Sequence, residues 1–192
     1  MDFHVYAIGL KTKFRRITVR EGVVFKGPAG WAEFSPFNDY GIAESAHWWN
    51  SAIDSANNNW PEAQRDLIEV NATVPAVSAK QAFEIVQNSG GCKTVKVKVG
   101  EPGQGLQDDI ERVVAVRDAL GQGGKIRVDV IGGWNVDDAI DSIKKLDRAV
   151  GGLEYVEQPV ASIADLSRVR KAVNVPIEAD DSIWRVEDPY EV

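Results

Sequence analysis

Two hydrophobic patterns divide the chain. From residue 68 onward, short apolar runs of strand length alternate with longer stretches whose apolar residues recur every third or fourth position, the period of a helix. The runs predict strands at residues 70–77, 94–99, 125–130, 153–157 and 175–179. Ser78, with Gln81 three residues on, predicts a capping box for the first intervening helix, and Gly90 closes it. The second helix carries Leu106, Ile110, Val113, Val114 and Leu120 as an apolar stripe broken by Arg117, and ends at Gly121. Asn135 caps the third, which turns Val136, Ile140, Ile143 and Leu146 inward. Leu166, Val169 and Val173 mark the fourth, and Asp188-Pro189 reads as the cap and first residue of one more.

The first part of the chain follows other rules. Strands are predicted at 3–8, 17–25 and 31–34, with Gly27-Pro28-Ala29-Gly30 as the turn before the third. A loop over 35–40 leads to a helix over 42–57, which Asn57-Asn58-Asn59-Trp60-Pro61 ends. His47 precedes the Trp48-Trp49 pair on this helix; no second ligand is spaced to join it, so it reads as a packed or surface histidine and the Trp pair as a packing surface. The expected organisation is an α+β unit over 1–67 and a βα-repeating unit over 68–192. Five strands joined by four helices through short loops imply parallel βα units. An open doubly wound sheet and a (β/α)8 barrel both fit. No glycine-rich phosphate fingerprint follows the first strand, which counts against a dinucleotide fold.

Composition narrows the classes. With 192 residues, 44% of them hydrophobic, the chain can bury a sizeable core. Net charge is −7, and Lys and Arg are scattered rather than clustered, which argues against a nucleic-acid partner. No apolar run is long enough for a bilayer, and residues 1–25 lack an apolar core segment of the export-signal kind. The single cysteine, Cys92, cannot form an internal disulfide, so a cytoplasmic setting is expected.

The chemistry gathers on the strands. Val95-Lys96-Val97-Lys98-Val99 alternates strictly, so the valines share one face and the lysines the other. Alone, that pattern is an ordinary half-exposed strand. The next three strands change the reading, because they end in Asp129, Glu157 and Asp180, whose neighbours of opposite parity are mostly apolar: Val128 and Val130 around Asp129, Val156 before Glu157 and Ala179 before Asp180. Apolar faces can then lie under helices, with the charged residues pointing into a barrel whose C-terminal strand ends build the site. Three converging carboxylates need a partner, and a hard divalent cation held through oxygen, usually Mg²⁺, supplies one. Desolvation and nearby positive charge would lower the pKa of a neighbouring lysine toward the range useful for proton transfer.

These motifs resemble the enolase superfamily, whose sites pair a Lys or His base with Mg²⁺. Within it the chain resembles the o-succinylbenzoate synthases of actinobacterial type. Lys96-Val97-Lys98, Glu157-Gln158-Pro159 and Asp180-Asp181-Ser182-Ile183 carry the superfamily likeness, with Arg20-Glu21 and Asp129 through Trp134 beside them. The segments 27–37 and 71–76 favour the synthase subgroup. The resemblance implies a capping domain followed by a partial (β/α)8 barrel of about five βα units. It implies Asp129, Glu157 and Asp180 as ligands of Mg²⁺, with Mn²⁺ as a substitute ion. Lys98 would transfer the proton and Lys96 would support it electrostatically. The implied reaction is a dehydration in menaquinone biosynthesis: a succinyl-hydroxycyclohexadiene carboxylate loses the proton α to its carboxylate, then hydroxide, to give the aromatic product. The capping domain, with its loop at 35–40, would close over this small carboxylate substrate. Racemases of N-acyl amino acids or dipeptides and muconate-type cycloisomerases share the same lysine and carboxylate motifs and stay open as alternatives.

The chain departs from the family at several points. Ile131 stands where an Asn is usual, Asp181 where a Glu is usual, and Glu178 where a small apolar residue is usual. Glu178 and the inward-facing Arg127 are expected to pair. A closed barrel takes about 200 to 250 residues, and about 125 follow the first 67. Strands six to eight, and the second lysine that the family carries on strand six, are therefore expected to be missing. The expectation is a fragment, or a remnant that associates with itself or binds a partner through an unclosed barrel edge.

Overall fold

The computed structural model describes residues 2–14, 17–183 and 190. The Asp188-Pro189 helix start lies outside the described residues. The chain forms two compact units, Met1–Ile68 and Glu69–Val192.

In the first unit, β1 (Asp2–Phe14), β2 (Ile17–Lys26) and β3 (Trp31–Phe34) form an antiparallel sheet in that order, and α1 (Ile42–Asn57) follows. Its core is Phe25, Ala32, Ala52 and Ala56. Trp49 packs into this core with ring centroids 5.4 Å from Phe25 and 5.3 Å from Phe34, while Trp48 stacks on Tyr40. The Trp pair is thus a packing surface, as its neighbours suggested. Gly27 lets α1 close on the turn before β3: a Cβ there would lie 2.3 Å from the Ala56 carbonyl oxygen. The first strand runs past the expected residue 8 because β2 pairs with it antiparallel well beyond that point.

The second unit alternates β4 (Ala72–Val74), α2 (Ala79–Gln87), β5 (Thr94–Lys98), α3 (Leu106–Leu120), β6 (Lys125–Asp129), α4 (Val136–Val150), β7 (Tyr155–Glu157), α5 (Ile163–Ala172) and β8 (Ile177–Glu178). The strands are parallel and lie in sequence order, β4 to β8. The predicted caps form: Ser78 and Gln81 make a capping box, and the Asn135 side chain accepts from the Asp138 N–H. Some strands are shorter than the apolar runs. Pro75 and Pro176 lack the N–H that a ladder needs, which limits β4 and the start of β8.

The two faces of this sheet differ completely. Val74, Val95, Val97, Ile126, Val128 and Val156 are fully buried and join one hydrophobic cluster with Ala82, Val113, Val116, Ala139, Ile143, Leu146 and Val169 from the helices. The opposite face carries the polar residues. Strands in sequential order, with their helices packed on one face, wind as a (β/α) barrel does. A doubly wound sheet reverses its strand order and places helices on both faces. The second unit is therefore part of a TIM-type barrel, with five strands among the described residues. No helix among the described residues is long and apolar enough to cross a membrane.

Candidate active site

Strand register assembles the site. Lys98 pairs with Asp129, Asp129 with Glu157, and Glu157 with Glu178; one step deeper, Lys96 pairs with Arg127 and Arg127 with Tyr155. Residues in register on adjacent strands share a face, so the row at the C-terminal strand ends is Lys98, Asp129, Glu157 and Glu178. The side chains meet. Lys96 Nζ donates to Glu157 Oε1 at 2.8 Å and to Oε2 at 2.9 Å, and lies 3.3 Å from Asp129 Oδ2. Lys98 Nζ donates to the same Asp129 oxygen. Asp129 and Glu157 are only 2% and 3% exposed, so each buried carboxylate has an ammonium against it. The Ile131 N–H also donates to Asp129 Oδ1, at 3.1 Å.

Electrostatics then separates the two acids. Burial pushes the Asp129 carboxyl up, but the hydrogen bond and charge of Lys98, reinforced by Lys96, outweigh it and hold the group below its ordinary range. Burial also pushes Glu157 up, and the adjacent Asp129 adds to this; Lys96 opposes it, yet the result is about 7. Lys96 itself is lowered by burial and raised by its bonds and charges with Glu157 and Asp129, and the rise wins. Between these two carboxylates Lys96 shifts in the direction opposite to the lowering expected of a lysine beside a bound cation. Two carboxylates within reach of one ammonium favour its charged form more than desolvation opposes it.

Of the three predicted ligands, the structure gathers two. Asp180 stands exposed just past β8, and among the described residues no three His, Cys, Asp or Glu side chains collect around a point where a metal could sit. The place between Asp129 and Glu157 is taken by the Lys96 ammonium, which supplies the positive charge there. The donors nonetheless fit a hard cation in kind: two buried carboxylates, all oxygen, already sharing positive charge.

The departures resolve differently. Ile131 cannot offer a side-chain hydrogen bond, but its backbone N–H does bond Asp129. It sits at φ 54°, a left-handed conformation that β-branched residues avoid and Asn tolerates. The expected Arg127–Glu178 pair does not form. Arg127 instead donates to Glu154 Oε2 at 2.6 Å and Asn71 Oδ1 at 3.0 Å, and stacks over Tyr155. Glu154, just before β7, reaches the guanidinium first. Glu178 is left with its Oε2 buried and unpartnered; its carboxyl is pushed up by burial and by the Asp180 charge. Asp181 is half-buried.

The sequence pattern missed three residues that frame this site. Arg112 and Asp109, one turn apart on α3, are 1% and 2% exposed. Arg112 donates to the backbone oxygens of Val77 and Lys98, at 2.6 and 3.0 Å, and to Asp109 at 2.6 Å; Asp109 accepts from the Gly100 N–H at 3.0 Å. Together they bind the segment after β4 and the end of β5. Charged residues on the inner side of an amphipathic helix were the available signal. The third is Gln158, which lay within a recognised motif but had no assigned task.

Comparison with known proteins agrees with this fold. A family model described as enolase N-terminal domain-like matches residues 5–56, and one described as enolase C-terminal domain-like matches residues 78–191. The o-succinylbenzoate synthase of Thermobifida fusca (strain YX) is 53% identical over 192 residues, which are 100% of this chain and 60% of that protein. The chain spans 57–60% of the length of such curated relatives. Among solved structures, the L-Ala-D/L-Glu epimerase from Bacillus subtilis aligns with TM-score 0.79 and 22% identity, over 100% of this chain and 70% of that one. An o-succinylbenzoate synthase from Thermosynechococcus elongatus BP-1, solved with Mg in its active site, aligns with TM-score 0.63 and 23% identity, over 95% of this chain and 68% of that one. At such identities the two structures speak for the fold alone.

Proposed function

The chain belongs to the enolase C-terminal domain-like family, and on that premise we propose that its lysine–carboxylate cluster is the site of a Mg²⁺-dependent dehydration of the o-succinylbenzoate synthase type. The observation that carries this reading is the contact of the half-buried Lys96 and Lys98 with the buried Asp129 and Glu157 on three consecutive parallel strands. Sequence identity to synthases along the whole chain supports it.

Asp129, Glu157 and Asp180 would hold the cation, which when bound supplies Lewis-acid stabilisation of negative charge on the substrate carboxylate. The chain's own groups do the rest. Lys98, after giving up to solvent the proton that its Nζ holds against Asp129, takes the proton α to the carboxylate of 2-succinyl-6-hydroxy-2,4-cyclohexadiene-1-carboxylate onto Nζ. It then returns that proton to the departing hydroxide, so the products are the aromatic acid and water. Loss of both groups from one face suits a single lysine on a single strand. Lys96, which bonds both carboxylates when no cation lies between them, keeps its charge and would direct it to the negative charge that develops on the substrate.

The direct assay follows the aromatic product by absorbance. Turnover that stops with a chelator and returns with added Mg²⁺ is the expected result. Turnover indifferent to the chelator, or racemisation of N-acyl amino acids in its place, would contradict the assignment.

A further inference from the structure

We infer that Gln158 is a positioning residue: it holds the turn that carries Asp180 and thereby sets the third acidic strand end. The inference rests on the reading of Asp180 as a metal ligand given above.

Gln158 follows Glu157 directly and is 1% exposed. Its backbone is at φ 39°, a left-handed conformation that a residue with a side chain adopts only where its surroundings fix it. Those surroundings are hydrogen bonds. Its N–H donates to the Glu178 carbonyl at 2.9 Å, and its carbonyl accepts from the Gly132 N–H at 2.7 Å. Its side-chain Oε1 accepts from the Asp180 N–H at 2.8 Å, the Ser182 N–H at 3.3 Å and the Ser182 Oγ at 3.1 Å. Its Nε2 donates to the Val160 carbonyl at 2.9 Å. One residue thus joins the segments after β6, β7 and β8.

The amide orientation follows from these partners. Turned over, it would set an NH2 group against two backbone N–H groups and an oxygen against a carbonyl. An apolar side chain could fill the same space but could not hold the turn. The anchor acts on the backbone of Asp180, while the carboxylate itself stays exposed. This is the relation expected of an outer partner that orients a ligand without touching the ion.

The test uses Gln158→Met, which keeps the bulk without the amide, and Gln158→Glu, which keeps an acceptor for the three donors. Amide hydrogen exchange in the metal-free chain is read at Asp180 and Ser182, and Mg²⁺ affinity by calorimetry. In Gln158→Met both amides should exchange faster by about tenfold or more while those of β5 and β6 hold their rates. The Mg²⁺ dissociation constant should rise about 10- to 100-fold. Gln158→Glu should lose less on both readouts. Unchanged exchange at the two amides overturns the inference, and so does faster exchange with unchanged Mg²⁺ affinity. If Gln158→Met loses protection throughout the sheet, Gln158→Glu decides: protection retained at Asp180 and Ser182 supports the anchor, and protection lost there overturns it. A wild-type chain that binds no Mg²⁺ contradicts the metal reading instead, and exchange still decides whether Gln158 holds the turn.

Discussion

At the strand ends, equal burial treats two carboxylates in opposite ways. Asp129 receives both lysines and stays ionised, whereas Glu157 shares one lysine with Asp129 and titrates near neutrality. The raised Glu157 pKa means that the folded chain binds more protons than the unfolded one between the ordinary value of 4.5 and about 7. This group's contribution to stability is therefore greatest below that window and declines as pH rises through it. Glu157→Gln should remove that decline, seen as the difference between its denaturation midpoints and those of the parent chain across the window. Parallel pH profiles would show that Glu157 does not titrate there. Two residues past Asp129, Ile131 at φ 54° is 40% exposed, so it holds a disfavoured conformation and gains little burial in return. Ile131→Asn should raise unfolding stability by about 1 kcal/mol, and a loss of stability in denaturant titration would count against strain at this position. The sequence showed which residues face together, because alternation and strand ends are local patterns. It did not show the direction of the Lys96 shift, which depends on how many carboxylates reach one ammonium across three strands.

The elements hold the site in place through charged residues that their own helical pattern does not explain. On α3, Arg117 broke the apolar stripe and is nonetheless nearly buried. It donates to the carbonyls of Val150, Gly121, Gly124 and Gly152, at 2.9, 3.0, 2.7 and 3.3 Å. It thereby ties the loops before β6 and β7 to the helix. Arg112, mid-way along the helix, ties the end of β5 to the segment after β4. Arg112→Met leaves Asp109 buried without its cation and should destabilise the chain by about 3–5 kcal/mol. Adding Asp109→Leu should recover part of the loss, because the uncompensated charge is then gone. Chemical denaturation of the two variants checks this, and a single variant as stable as the parent would contradict it. Caps, helix spans and strand order were legible, since each is written within a few residues. The partners of Arg112 and Arg117 were not, because they are backbone oxygens brought close only by the fold. Likewise the apolar runs overstated β4 and β8, where proline interrupts the ladder within a run that stays hydrophobic.

Across the whole molecule, two hydrophobic patterns become two compact units, each with its own core. In the second unit a wholly apolar face under helices and a charged face opposite turn five strands into part of a barrel. The barrel was legible because both faces were written in one alternating strand, Val95 to Val99, and in the acids that follow it. The assembly of the proposed metal ligands was only partly legible: Asp129 and Glu157 stand side by side through strand register, whereas Asp180 lies past a two-residue strand, on a turn that Gln158 bonds. The central claim is that this charged face performs proton transfer through Lys98. Its most direct measurement compares product formation by the parent chain and by Lys98→Ala at saturating Mg²⁺, with Mg²⁺ affinity measured in parallel. The claim predicts a fall in turnover of about 10²–10⁴-fold with Mg²⁺ binding retained; Lys98→Ala turning over at the parent rate would contradict it.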